Sequence, residues 1–151
     1  MSVTIEAIKA RQTELAAMIQ AFQEQAAAIT YIEIEETTIE LRPGEHYADA
    51  VLNEHGDHQF HLVLMAQRPG KKLAWQDAMN WAKSVGGSLP TRQEQALLFA
   101  NCKPHIEGVY HWSGQTHEDD ASSAWGCDFN VGSQYPLREG YELAAVAVRR
   151  V

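Results

Sequence analysis

The stretch Gly86-Gly-Ser-Leu-Pro-Thr-Arg-Gln-Glu-Gln-Ala-Leu-Leu-Phe-Ala-Asn101 does most to limit the folds open to this chain. It reads as a glycine helix stop, a short extended link, a proline and a capped helix start. Thr91 and Glu94 form a T-x-x-E capping box, in which each side chain satisfies a free backbone N–H of the new first turn. Pro90 keeps Leu89 extended, so the helix cannot begin earlier. Local physics alone makes this a connection between two helices, with no chemistry of its own.

With 151 residues the chain can hold one domain with a sizeable core, plus an appendage. An apolar content of 45% argues for a folded protein, and a net charge of −8 argues against nucleic acid or an anionic membrane as partner. Cys102 and Cys127 are too few and too far apart for a zinc motif. They could pair as one disulfide; two small reduced core residues are the favoured reading. No signal peptide and no apolar run of about 20 residues is visible, so a soluble protein made in a cytoplasm is expected.

Residues 2–29 carry the clearest period. Ile5, Gln12, Ile19 and Ala26 fall at heptad position a, and Ile8, Leu15, Phe22 and Ile29 at d. Ser2 or Thr4 can cap the start. A stripe this narrow suits self-association better than packing on its own domain. Ile at a and d leans towards three strands, with Gln12 setting register, so a homotrimer is favoured over other homo-oligomers and over intramolecular packing. The oligomerisation residues are Ile5, Ile8, Gln12, Leu15, Ile19, Phe22 and Ile29.

Residues 30–43 form a connector. Ile32 and Ile34 alternate with acids, and Ile39 and Leu41 alternate in the opposite phase, which predicts a strand with a bulge or tight turn. A strand, turn and strand follow over His46–Asn53, Glu54–Asp57 and His58–Met65. His55, His58 and His61 invite a metal, but His58 and His61 should point to opposite faces of a strand, and no metal site is assigned. A helix is predicted from about Ala74 to Val85, with Trp75, Ala78, Met79 and Ala82 on one face, ended by Gly86-Gly87. The helix opened at Thr91 should partly bury Ala96, Leu97, Phe99 and Ala100. Val109–Gly114 reads as a short strand, Gln115–Ser123 as a polar loop and Ala124–Phe129 as a strand. A turn region spans Gly132–Gly140, and a closing strand Leu143–Val151. The class is α+β.

The order Trp75, Trp81, Gly86-Gly87, Leu89-Pro90-Thr91-Arg92, Glu94, Trp112-Ser113-Gly114, Ala124-Trp125, Phe129, Gly132 and Val148-Arg149-Arg150 resembles the C-type-lectin-like domains of bacterial and phage proteins. That group includes a phage and prophage family of unknown function, to which the likeness is greatest, retroelement variable proteins and formylglycine-generating enzymes. The resemblance covers about residues 44–151. It implies two helices on a small twisted antiparallel sheet whose last strand lies near its first. It also implies that Arg92 holds loops through charge-assisted hydrogen bonds, that Glu94 serves both the cap and that network, and that the loops between Trp112 and Leu143 form the ligand face. Thr91, Arg92 and Glu94 are thus expected to be structural.

The chain departs from the active members of the group. Calcium-dependent sugar binding uses a Glu-Pro-Asn or Gln-Pro-Asp loop and a Trp-Asn-Asp strand, where this chain has Trp125-Gly126-Cys127-Asp128 and no such proline loop. Glu118, Asp119, Asp120 and Asp128 could gather round a calcium ion, but a solvated loop is the simpler reading. The oxidases need a closely spaced cysteine pair, which Cys102 and Cys127 are not. No catalytic residue, cofactor or metal is therefore assigned, and a lectin-fold oxidase stands only as a remote alternative.

The expected function is a non-enzymatic phage or prophage binding module, multimerised by residues 1–29, that presents its lectin-like face to a host protein or glycan. The candidate contacts are Gln115, His117, Asp119, Trp125, Asp128, Asn130, Gln134, Tyr135 and Arg138, polar and aromatic side chains of the kind that suits adaptable recognition on loops. The alternative is an intracellular phage accessory or anti-defence protein that blocks a host factor. The first would be found in the virion, the second in the host bacterial cytoplasm.

Overall fold

The computed structural model describes residues 2–28 and 33–151, in two compact units, Met1–Glu35 and Glu36–Val151. The first unit is helix α1, Ile5–Ala27, begun by Thr4, whose hydroxyl accepts from the Ala7 N–H at 3.2 Å. Glu6 lies in the first turn, where its charge suits the helix dipole. No residue of α1 is buried. Ile5, Ile8, Leu15, Ile19 and Phe22 are all exposed, and Met18 widens their stripe. Ile29 lies outside the described residues. Among those residues no helix is long and apolar enough to cross a membrane.

The connector is not a strand over its described part: residues 33–42 have no regular structure. Ile34 and Leu41 stay exposed and the acids find no ladder to join. The Arg149 side chain instead fastens it, donating to the Glu40 carbonyl at 2.6 Å. Residues 30–32 of the expected strand lie outside the described residues.

The second unit is α+β, with two three-stranded antiparallel sheets and two helices. In chain order come β1 His46–Leu52, β2 His58–Leu64, α2 Trp75–Ser84, α3 Arg92–Asn101 and one 3-10 turn, Lys103–His105. Then follow β3 Tyr110–His117, β4 Asp120–Asp128, β5 Gln134–Arg138 and β6 Val148–Arg150. The first sheet is ordered β1-β2-β6 and the second β3-β4-β5.

In the β1–β2 hairpin, Leu52 lies opposite His58 and Val51 opposite Phe60. Gln59 is thus the extra residue of a bulge, which reverses the side-chain parity. The His58 and His61 rings therefore meet, with centroids 4.5 Å apart, instead of pointing to opposite faces.

Two apolar cores form. One gathers Leu62, Leu64, Leu98, Cys102, Cys127, Phe129, Val146 and Val148 with Ala48, Val51 and Ile106. The other gathers Met65, Ala78, Ala82, Leu89, Trp112, Ala124, Ala145 and Ala147. The period-two alternation of Ala145–Val148 sends Val146 and Val148 into the first core and Ala145 and Ala147 into the second. The same parity splits β4, whose Cys127 joins the first core and Ala124 the second.

The expected closing strand is a strand only over Val148–Arg150. Upstream its hydrogen bonds are shared out. Leu143 bridges Leu73, Ala144 bridges His111, and the Ala147 carbonyl accepts from the Met65 N–H. This segment laces the two sheets together.

Three further expectations are corrected. Gln115–Ser123 is not a loop: β3 and β4 run through it with only a turn at Glu118-Asp119 between them. The Gly132–Gly140 turn region contains a strand, β5, whose Pro136 lies opposite Trp125 on the outer edge of the sheet. The buried face of α3 is Glu94, Gln95 and Leu98, while Ala96 and Ala100 are exposed. Burial there follows hydrogen bonding: Glu94 meets Arg150, and the Gln95 amide donates to the His111 carbonyl at 3.2 Å.

Candidate functional site

The link between α2 and α3 positions the site. Gly86 has φ +85°, the left-handed conformation that ends a helix at little cost only for glycine. At Gly87 a Cβ would strike Met65 Sδ and lie 2.8 Å from the Val148 carbonyl oxygen. That closeness lets Ser88 exchange both backbone hydrogen bonds with Val148, at 3.0 and 2.8 Å. Two residues on, the Pro90 carbonyl accepts from the Gly114 N–H at 2.8 Å. The link is thus stretched between β6 and β3. It delivers Thr91 as the helix cap, with both halves of the capping box present, and sets Arg92 against one face of the second sheet, where it meets β3, β4 and β5.

Arg92 is the centre of the cluster. Its backbone N–H donates to Gln115 Oε1 at 2.7 Å, and its Nε–H to Gln134 Oε1 at 2.9 Å. The Gln134 amide donates back to the Arg92 carbonyl at 2.7 Å, closing a two-bond clasp. The guanidinium carbon stands 3.5 Å over the centroid of the Trp125 ring, whose electron-rich face attracts the cation. The His117 ring is tilted against Trp125, with centroids 5.3 Å apart. Among the described residues no carboxylate pairs with Arg92, and its terminal nitrogens keep their donors unused. The buried Trp125 Nε1 has no acceptor among the described residues.

Four of the nine candidate contacts therefore come together: Gln115, His117, Trp125 and Gln134, round a residue expected to be structural. Arg138 lies two positions beyond Pro136 on the same face of β5. Parity places Asp128 and Tyr135 on the opposite face, where Tyr135 meets Tyr110 at 6.4 Å. Asn130 sits in the β4–β5 turn beside a depression of about 360 Å³ that Asp128 also lines. Asp119 is at the tip of the β3–β4 turn. The set is divided between the two faces of the sheet and the turns at its ends, because most residues expected on loops belong to strands. Glu94 also differs in partner: its carboxylate caps Thr91 and pairs with Arg150, not Arg92.

The acids do not converge. Asp120 and Asp128 stand at opposite ends of β4, roughly 26 Å apart at the rise of a strand. Asp120 accepts from the Ser122 N–H, the Ser122 hydroxyl and the Ser123 hydroxyl, and these bonds, those of Ser122 first, lower its pKa. Among the described residues no three His, Cys, Asp or Glu gather to hold a metal. Both cysteines are free and buried. Burial raises both thiols, Cys127 to about 11 with help from Asp128, so neither is a ready thiolate.

Sequence reasoning missed the basic loop Arg68–Lys72, which walls a cavity above His111. The signal that could have found it is three cations in five residues of an acidic chain. No protein-family model matches this chain, and no curated protein matches it.

Proposed function

We propose that residues 44–151 are a C-type-lectin-like domain of the phage and prophage kind. In this reading the protein is a non-enzymatic binding module that offers the Arg92–Trp125 face to a host protein or glycan. The observation that carries it is Arg92 itself. The residue is clasped by Gln134 and stacked on Trp125, and among the described residues none accepts from its terminal nitrogens. A pre-organised cation of this kind recognises carboxylate or carbonyl oxygens with little ordering cost. The α+β layout supports the domain assignment, with two helices against small antiparallel sheets and β6 returning to the β1–β2 hairpin.

The apolar stripe of α1, none of it buried, supports a homotrimer, and three linked faces raise avidity without new contacts. Partners captured by full-length protein from bacterial lysate and envelope glycans, identified by mass spectrometry, test the reading. A partner retained by the wild type and lost with Arg92→Ala and Trp125→Leu, both still folded, is the expected result. Captured material that is the same for all three proteins would sink it.

The acidic surface favours a second reading. Glu33, Glu35, Glu36 and Glu40 are exposed on the connector, which would suit an intracellular accessory protein that occupies a basic groove of a host factor. The protein in purified virions supports the first reading; its confinement to infected-cell lysate supports the second.

A further inference from the structure

Away from the Arg92 face, the chain from Arg68 to Lys72 bends over a cavity of about 320 Å³ that Glu107, His111, Ala144 and Ala145 also line. That volume is at the small end of ligand pockets. Gly70, at φ +75°, supplies the bend that brings both lysines to the rim.

Three of the chain's 12 lysines and arginines meet here, in a protein of net charge −8. Among the described residues none of them pairs with a carboxylate. Arg68 is clamped, among the described residues, by neutral oxygens only. Its Nη1 donates to the Met65 and Gln67 carbonyls at 2.7 and 2.8 Å, and its Nη2 to the His105 carbonyl at 3.1 Å. The guanidinium is thereby fixed in place with its charge uncompensated. Among the described residues Glu107 is the one acid in the lining, against three cations.

The buried His111 adds direction. Its Nδ1 is 2.9 Å from the Val109 carbonyl, which can only accept, so in the neutral ring Nδ1 carries the proton and Nε2 is an acceptor. Burial, helped by the charge of Arg68, keeps the ring neutral against the opposing pull of the Val109 carbonyl and Glu107. The site therefore combines a cationic rim with a hydrogen-bond acceptor in its lining and short apolar walls at Pro69, Ala144 and Ala145.

We propose that this cavity binds a small anionic sugar, in which a carboxylate or phosphate monoester lies against Arg68, Lys71 and Lys72 and a hydroxyl donates to His111 Nε2. A uronic acid and a sugar phosphate share this chemistry. The proposal stands apart from the Arg92 reading, because it uses neither its residues nor its face.

Titration calorimetry of the full-length protein with glucuronate, glucose 6-phosphate, glucose and inorganic phosphate tests it. Saturable binding of glucuronate or glucose 6-phosphate, at least tenfold tighter than glucose or inorganic phosphate, is expected; which of the two binds better identifies the anion. Lys71→Ala with Lys72→Ala, both exposed positions, should weaken that binding at least tenfold. His111→Phe should bring the sugar phosphate down to the level of inorganic phosphate. Should that variant not fold, Ala144→Leu, which fills the cavity wall, is to abolish binding instead. No saturation by either anionic sugar would overturn the proposal. So would unchanged affinity in the double lysine variant, or glucose binding as tightly as its anionic forms.

Discussion

Arg150 closes onto Glu94 with two parallel hydrogen bonds, Nε to Oε2 at 2.8 Å and Nη2 to Oε1 at 2.7 Å. Oε1 also accepts from the Thr91 N–H at 2.8 Å. One carboxylate thus caps α3 and ties that helix to β6. The two ends are unequally buried: the Glu94 side chain is 1% exposed and that of Arg150 34%.

This inequality sets the order of the variants. Glu94→Gln leaves a charge that water still reaches, and an amide that can keep the cap, at a cost of about 2 kcal/mol. Glu94→Ala loses the cap as well, about 1 kcal/mol more. Arg150→Ala strands a buried carboxylate and should cost most, about 3–5 kcal/mol. Urea denaturation of the three variants checks the ranking, and an Arg150→Ala milder than Glu94→Gln would contradict it.

The Glu45–Arg149 pair should govern acid stability. Arg149 holds the nearly buried Glu45 through bonds of 3.0, 3.2 and 2.7 Å, and chiefly for that reason its pKa falls below the usual 4.5. A carboxylate depressed in the folded state stabilises fully above its unfolded pKa and loses that contribution as pH falls through the folded value. Glu45→Gln should therefore be clearly less stable than wild type at pH 7 and close to it near pH ~2. Denaturation midpoints at the two pH values read this directly. A gap that stays constant would rule the pair out as the cause.

Neighbouring glycines should respond differently. Gly86→Ala meets no atom within 4 Å, so only the left-handed φ is penalised, by about 1 kcal/mol. Gly87→Ala drives a methyl against the Val148 carbonyl and Met65, and should cost about 2–3 kcal/mol by overpacking. Thermal melts separate the two, and equal melting temperatures would refute the close-approach argument.

Helix α1 is expected to assemble the protein. Mass in solution should be that of a trimer, and deletion of residues 1–29 should leave a folded monomer. Ile19→Asp, at the middle of the exposed stripe, should dissociate the full-length form. A truncated protein that remains trimeric would move the assembly surface elsewhere, and a monomeric full-length protein would remove the avidity argument.

What the sequence determined by itself was whatever depends on neighbours a few positions away. The Thr91–Glu94 capping box, the Gly86 helix stop, the extent of α2 and the β1–β2 hairpin all rest on contacts within one turn or one hairpin, and residue type sets these directly. Tertiary structure alone decided the rest. The polar run Gln115–Ser123 became strand because β3 and β4 pair through it, and β5 formed because β4 offered an edge, neither of which polarity alone could reveal. One inserted residue, Gln59, put His58 and His61 on the same side. The clasp between Arg92 and Gln134, and the bond from Arg150 to Glu94, join residues 42 and 56 positions apart. Such pairs carry no local periodic mark, because their energy appears only after the chain has closed and removed both partners from water.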